Sequence, residues 1–139
     1  MTKVFISGSI SIKELDKPTM ISIDLLIERD VCFLIGDANG VDKAAQQYLL
    51  DKNYRHVVVY FSGEKIRHNI GNWYTKQCPN PENQTGRKLY QIKDKVMATD
   101  CDFGLMLWDG KSKGTKENMD NLDALGKRYL LVTQIYDKK

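Results

Sequence analysis

FGLMLWDGKSKGT, residues 103–115, is the stretch that decides the fold. Its first six residues form a continuous apolar run, and a turn rich in glycine, lysine and serine follows before a helical pattern begins. Strands that are apolar at successive positions are buried on both faces, as in a parallel sheet covered by helices. The stretch therefore predicts a strand, a glycine-rich loop and a helix, with the loop at the carboxyl end of the strand.

Four more apolar runs resemble this one, and segments of helical periodicity separate them. The helical segments include 41–49, 89–97 and 119–125, and Asp16 followed by Pro18 marks the start of another helix. This alternation predicts an α/β fold of three layers, a doubly wound parallel sheet of five strands in the order 3-2-1-4-5. The four further runs are Val4–Ile6, Val31–Ile35, Val57–Phe61 and Tyr129–Val132.

Length and composition limit the classes of protein. A chain of 139 residues predicts a single domain, which we place at residues 1–136, with a tail at 137–139. The formal net charge of +3 is too small to indicate a nucleic-acid partner. We also expect no metal and no cofactor, because the three cysteines and two histidines form no ligand cluster and the cysteines are typical of buried free thiols.

The location of the protein is predicted from what its sequence lacks. Residues 1–7 enter a strand-like run without a basic and apolar leader, and no apolar run approaches the roughly 20 residues that span a bilayer. We therefore expect a cytoplasmic protein without a membrane partner.

Three glycine-containing turns follow strands directly, at residues 8–11, 36–42 and 109–115. Glycine lets the backbone approach a ligand, and the helices that follow two of these turns present free N–H groups to an anion. The alternative is that the glycines only make tight turns, that Asp42 caps its helix and that nearby lysines are solvated. The candidate ligand-binding residues in these turns are Gly8, Ser9, Gly36, Asp37, Gly40, Asp42, Asp109, Gly110, Ser112, Gly114 and Thr115.

The segment from Ser62 to Glu82 has no clear periodicity and carries glycine, proline and aromatic residues. Loops of this length are often lids. As a lid, it would place Trp73 or Tyr74 on a base and Arg67 on a phosphate. The alternative is that Trp73 packs in the core.

The chain resembles the SLOG superfamily, the Rossmann-like group that includes DprA and the Lonely Guy phosphoribohydrolases. The match is strongest to its small bacterial and phage branch related to YspA, and it covers nearly the whole chain. The matching strings are FISGS (5–9), GDANGVD (36–42), RHNIGNW (67–73), KDKVM (93–97) and GLMLWDGKSKGT (104–115). The resemblance implies a Rossmann-like sheet, a nucleotide-type ligand and a homodimer.

The resemblance also suggests catalytic residues. Glu117 matches an acidic position that follows Gly-Thr in the Lonely Guy enzymes, and Lys93 falls where those enzymes place an arginine. The chain has Trp108-Asp109-Gly110 where they have Pro-Gly-Gly. Glu117 or Asp109 would then stabilise an oxocarbenium-like centre, and Lys93 would hold the phosphate.

The leading hypothesis is a binding module for a nucleotide or a nucleotide-derived ligand that acts as a sensor or under the control of a partner. The second is a hydrolase that cleaves the N-glycosidic bond of nucleoside monophosphates. The third is an accessory protein of DNA processing, against which the small net charge argues.

Overall fold

Continuous apolar runs form the centre of the sheet, as their composition predicts. The computed structural model describes residues 1–134, so the predicted tail at 137–139 lies outside the described residues. The strands are β1 (Lys3–Gly8), β2 (Cys32–Gly36), β3 (Val57–Ser62), β4 (Tyr74–Cys78), β5 (Phe103–Trp108) and β6 (Tyr129–Thr133). The helices are α1 (Lys17–Glu28), α2 (Val41–Asp51), α3 (Gly86–Asp100) and α4 (Lys113–Ala124).

All neighbouring strands are parallel, in the order β4-β3-β2-β1-β5-β6. The five predicted strands keep their predicted relative order. The prediction of five strands was wrong by one, because Tyr74–Cys78 adds a sixth strand beside β3. Four of its five residues are exposed, as befits an edge strand, so it lacks the apolar run by which the others were recognised.

Helices cover both faces of the sheet and make three layers. One core cluster joins Ile23 of α1 and Leu49 of α2 to the sheet, and the other joins Met97 of α3 and Leu122 of α4 to its opposite face. The predicted start of α1 is confirmed, because Asp16 Oδ1 accepts a hydrogen bond of 2.9 Å from the N–H of Thr19. None of the helices within residues 1–134 has the length and apolar character needed to cross a membrane.

The winding of the chain reverses between β1 and β5. Chain connections run outward from β1 through β2 to β4 on one side, and from β5 to β6 on the other. In open α/β sheets, ligands bind at the carboxyl ends of the strands at such a switch point. Here the loops after Gly8 and after Trp108 meet at that point.

Candidate functional site

A cavity of about 440 Å³ opens at the switch point. Its floor is apolar and includes Phe5, Ile6 and Met97, and its rim comes from the loop after β1, from α3 and from the start of α4. Eight of the predicted site residues line it, namely Gly8, Ser9, Asp42, Arg67, Lys93, Ser112, Gly114 and Thr115.

The loop after β5 is shaped by Asp109. Its Oδ1 accepts hydrogen bonds from the N–H groups of Lys111 and Ser112, both at 2.8 Å, and from Ser112 Oγ at 2.9 Å. Its Oδ2 accepts from Ser11 Oγ at 2.6 Å. Burial works to raise the pKa of Asp109, but these hydrogen bonds outweigh it and hold the pKa well below its ordinary value. Asp109 is thus occupied in fixing the loop, together with the positive-φ turn at Gly110.

The first turn of α4 forms the rim of the cavity beside this loop. Ser112 occupies the N-cap position but its side chain makes no hydrogen bond to the helix, and its hydroxyl donates to Asp109 instead. The first-turn N–H groups of a helix need an acceptor from outside it. Thr115 is 2% exposed, lines the cavity, and its Oγ1 has no hydrogen-bond partner among residues 1–134. The oxygen is covered in the structure, so an acceptor in the cavity reaches that hydroxyl only when the side chain turns towards it.

The glycines of the loop after β2 let neighbouring segments of the backbone and side chains pack closely against it. Gly40 has a φ of +74°, and a side chain there would collide with the backbone of Ile10 in the loop after β1. Gly36 leaves room for the side chains of Asp42 and Lys93. Gly36 and Gly40 therefore support the site from outside the cavity lining.

Arg67 lies on the cavity wall, but its charge is already paired. Its guanidinium donates to Asp37 Oδ1 at 2.7 Å, and its backbone N–H donates to Asp37 Oδ2 at 2.9 Å. The guanidinium also stacks on the ring of Tyr90, 3.9 Å from its centroid. Asp37 is therefore the anchor of Arg67, and Arg67 and Tyr90 together make one side of the cavity.

The structure does not bring Trp73 to the cavity. Trp73 is 6% exposed within the core cluster of α1 and α2, and its Nε1 donates to the backbone oxygen of Tyr54 at 2.9 Å. The expected lid is also not an irregular loop, because it contains β4 and hydrogen bonds from the backbone of Arg67 and Ile70 tie it to Asp37 and Gln46. Trp73 therefore follows the core-packing alternative.

Glu117 also lies outside the cavity lining. Its carboxylate accepts from Arg87 Nη2 at 2.5 Å and from Gln91 Nε2 at 2.7 Å, so it links α4 to α3 at the surface. The structure thus separates Glu117 from Lys93, which faces the cavity.

A buried charged cluster forms another part of the cavity wall. Asp42 and Lys93 are both almost fully buried, and Lys93 Nζ donates to Asp94 Oδ1 at 3.0 Å. Burial raises the pKa of Asp42 to about 6, against the opposing influence of Lys93. Burial disfavours the charged form of Lys93, but Asp94 and Asp42 outweigh it and raise the pKa of that ammonium.

Several cavity residues escaped the sequence analysis. Tyr90 and Asp94 lie on α3, and Asn118, whose Nδ2 donates to Ser7 Oγ at 2.7 Å, lies on α4. Only the helical phase could have identified Tyr90 and Asn118, since each lies one turn from a predicted site residue, whereas Asp94 is next to Lys93 in the sequence. Within residues 1–134, no group of three or more histidine, cysteine or acidic side chains is arranged to hold a metal ion.

Comparison with known proteins places the fold. No family model and no curated protein matches the chain. The X-ray structure of DNA processing protein A (DprA) from Streptococcus pneumoniae is similar, with a TM-score of 0.71 and 18% sequence identity over 98% of this chain. The match covers 52% of that chain, so this chain spans about half the length of that protein. The chain therefore has the Rossmann-type α/β fold that DprA has.

Proposed function

We propose that the chain binds a phosphorylated nucleoside in the cavity at the switch point and acts as a sensor or a partner-controlled module. The observation that carries this proposal is the buried, unpartnered hydroxyl of Thr115 beside the uncapped first turn of α4. Together they offer hydrogen-bond donors and the positive end of a helix dipole to one anionic group.

Size and lining agree with such a ligand. A volume of about 440 Å³ lies within the roughly 300–1,000 Å³ of small-molecule sites. The apolar floor and the ring of Tyr90 suit a flat aromatic group, while Lys113 at the start of α4 adds a positive charge on the side of the proposed anion.

Calorimetry tests this proposal with nucleoside monophosphates, dinucleotides and cyclic nucleotides. We expect at least one of them to bind, and inorganic phosphate to compete weakly for the same place. If no member of the panel binds at millimolar concentration while circular dichroism shows a folded chain, the proposal is wrong.

Base release distinguishes a binding module from the N-glycosidic hydrolase. Glu117 is bonded to Arg87 and Gln91 at the surface, so we expect bound nucleoside monophosphates to stay intact. Chromatography of the incubated nucleotide measures free base, with Glu117→Gln run in parallel. Turnover by the original chain that the variant abolishes would favour the hydrolase.

DNA processing is the second candidate, because the similar structure is that of a DNA processing protein. The net charge of +3 gives a poor guide here, since single strands can also be bound by stacking in a groove. Fluorescence anisotropy with a labelled single-stranded oligonucleotide at low and moderate salt tests it. If the oligonucleotide binds in a salt-sensitive way and a nucleoside monophosphate displaces it, a nucleic-acid ligand would be favoured over a free nucleotide.

A further inference from the structure

We propose that Asp42 accepts hydrogen bonds from the vicinal hydroxyls of a sugar, so that the cavity selects ribosyl phosphates over their deoxy counterparts. This inference rests on the proposed function and specifies the class of ligand. It concerns the part of the cavity wall that Asp42 forms.

Asp42 is a buried residue in which one carboxylate oxygen makes no hydrogen bond within residues 1–134. It is 8% exposed and lines the cavity in the first turn of α2. Its Oδ2 accepts from the N–H of Ala38 at 3.0 Å, whereas Oδ1 has no hydrogen-bond partner among the described residues. Oδ1 is not among the fully buried atoms that lack a partner, so it is accessible, and a donor on the ligand is its natural partner in the cavity.

Neighbouring side chains do not supply that donor. Lys93 Nζ is directed to Asp94 Oδ1 at 3.0 Å and to the backbone oxygen of Tyr90 at 3.3 Å, and no ion pair joins it to Asp42 within residues 1–134. Lys93 still contributes a nearby positive charge that favours the ionised form of Asp42. A ligand hydroxyl thus meets a carboxylate that is partly compensated but not hydrogen-bonded at Oδ1.

The more usual acidic position is already occupied. In dinucleotide-binding sheets, an acidic side chain roughly 20 residues after the first glycine-rich turn forms a hydrogen bond with the ribose hydroxyl. The acidic residue at the end of β2 is Asp37, and both of its oxygens are bonded to Arg67. Asp42 and Asp94 are the carboxylates that line the cavity. Asp42 is the buried one, and Asp94 is partly exposed and paired with Lys93 through Oδ1.

The start of α4 and Asp42 therefore fit different chemical groups of a ligand. The start of α4, with Thr115, offers donors to an anion, and Asp42 offers an acceptor to donors. A sugar phosphate carries an anionic group at one end and vicinal hydroxyl donors on its ring. Those are the two kinds of group that the walls can satisfy.

The test compares adenosine 5′-monophosphate with its 2′,3′-dideoxy analogue by calorimetry, with the corresponding cytidine pair in parallel. Hydrogen bonds to a charged group predict that the original chain binds the ribosyl form about tenfold or more tightly than the dideoxy form. Asp42→Asn keeps an acceptor for Ala38 but lacks the charge, and should bring the two affinities to within about threefold. Asp51→Asn, which makes the same change at an exposed position of α2 outside the cavity lining, should keep the original ratio.

The outcomes separate this inference from the proposed function. Equal affinity of the original chain for ribosyl and dideoxy forms overturns the role of Asp42 and leaves nucleotide binding in place. An unchanged ratio in a folded Asp42→Asn overturns it as well. If Asp42→Asn does not fold, a crystal structure of the original chain with adenosine 5′-monophosphate decides, and ribose hydroxyls beyond hydrogen-bond distance of Asp42 overturn the inference. Absence of binding by every nucleotide refutes both proposals.

Discussion

Two threonine hydroxyls are buried without a partner among residues 1–134, and they lie in different surroundings. Thr115 lines the cavity at the start of α4, whereas Thr19 is in the first turn of α1 and does not line the cavity. A buried hydroxyl without a hydrogen bond costs roughly 1–3 kcal/mol. The pair therefore allows the proposed role of Thr115 to be tested against a hydroxyl that is buried but does not line the cavity.

Thr115→Val should weaken nucleoside monophosphate binding about tenfold, because the variant keeps the shape but loses the donor. The free energy of unfolding should not fall, since no intramolecular hydrogen bond is lost. Calorimetry and urea denaturation measure the two effects. Thr19→Val is the matched control, and we expect it to bind as the original chain does. Undiminished binding by Thr115→Val would remove this hydroxyl from the site.

Asp42 makes stability depend on pH in a defined direction. Its pKa rises from 3.8 to about 6 on folding because the carboxyl is buried, with Lys93, Asp94 and Asp37 as its charged neighbours. The folded state therefore binds the proton more tightly, and this contribution to stability is present below about pH 4 and is lost as the pH rises through 6. A shift of this size corresponds to about 3 kcal/mol.

Asp42→Asn should remove that dependence. The difference in free energy of unfolding between variant and original chain should move in favour of the variant, by about 2–3 kcal/mol, between pH 4 and pH 7. Urea denaturation of both proteins across this range measures it. A difference that stays constant with pH would mean that Asp42 titrates at its ordinary value.

At the scale of elements, the loop after β5 and α4 act together as the anion-facing rim. Gly114 lies in the first turn of α4, and a side chain there would meet nothing within 4 Å. Gly114 has no positive φ, so valine at this position does not strain the backbone, and only the space that it occupies matters.

Gly114→Val should reduce nucleotide affinity more than tenfold, because its methyl groups occupy space beside the first-turn N–H groups. The fold should persist, since valine in a helix is no worse than glycine. Lys116→Val, which places the same side chain at an exposed position of α4 outside the cavity lining, is the control and should bind normally. Calorimetry decides, and equal affinity of the two variants would move the anion away from α4.

Trp73 anchors strand β4 and the segment before it to the hydrophobic core. Trp73→Phe should lower the free energy of unfolding by about 1–3 kcal/mol, because the carbonyl of Tyr54 loses its donor and the core loses volume. Nucleotide affinity should be unchanged. Tyr74→Phe, at an exposed neighbouring position, should alter neither quantity. If Trp73→Phe weakened binding without loss of stability, the tryptophan would belong to the site.

The sequence could predict the helices and strands whose own residues form a recognisable pattern. The central strands were predictable from continuous apolar runs, and α1 from Asp16 and Pro18, because these effects are local. Strand β4 was not, since its register depends on pairing with β3 at a solvated edge. The pairing of Glu117 with Arg87 was equally hidden, because the phase of one helix against another is set by packing.

For the whole molecule, the ion pairs at the cavity determine the electrostatic field that a ligand meets more than the net charge does. Arg67, Arg87 and Lys93 lie at the cavity, yet each is paired with a carboxylate. The net charge of +3 therefore says little about the field that a ligand meets. In the proposed function, the start of α4 and Lys113 would attract the anion, which would then lie at one end of the cavity.

The meeting of β1 and β5 at the switch point has a consequence for how the molecule folds. Ser11 and Asp109 are 98 positions apart, and Asn118 and Ser7 are 111 apart. Contacts so distant along the chain close large loops and form slowly. Capture of a fluorescent nucleotide during refolding should therefore appear only in the slowest phase, after helical circular dichroism has recovered. A chain that stops before β5 would carry the loops after β1 and β2 and still bind nothing.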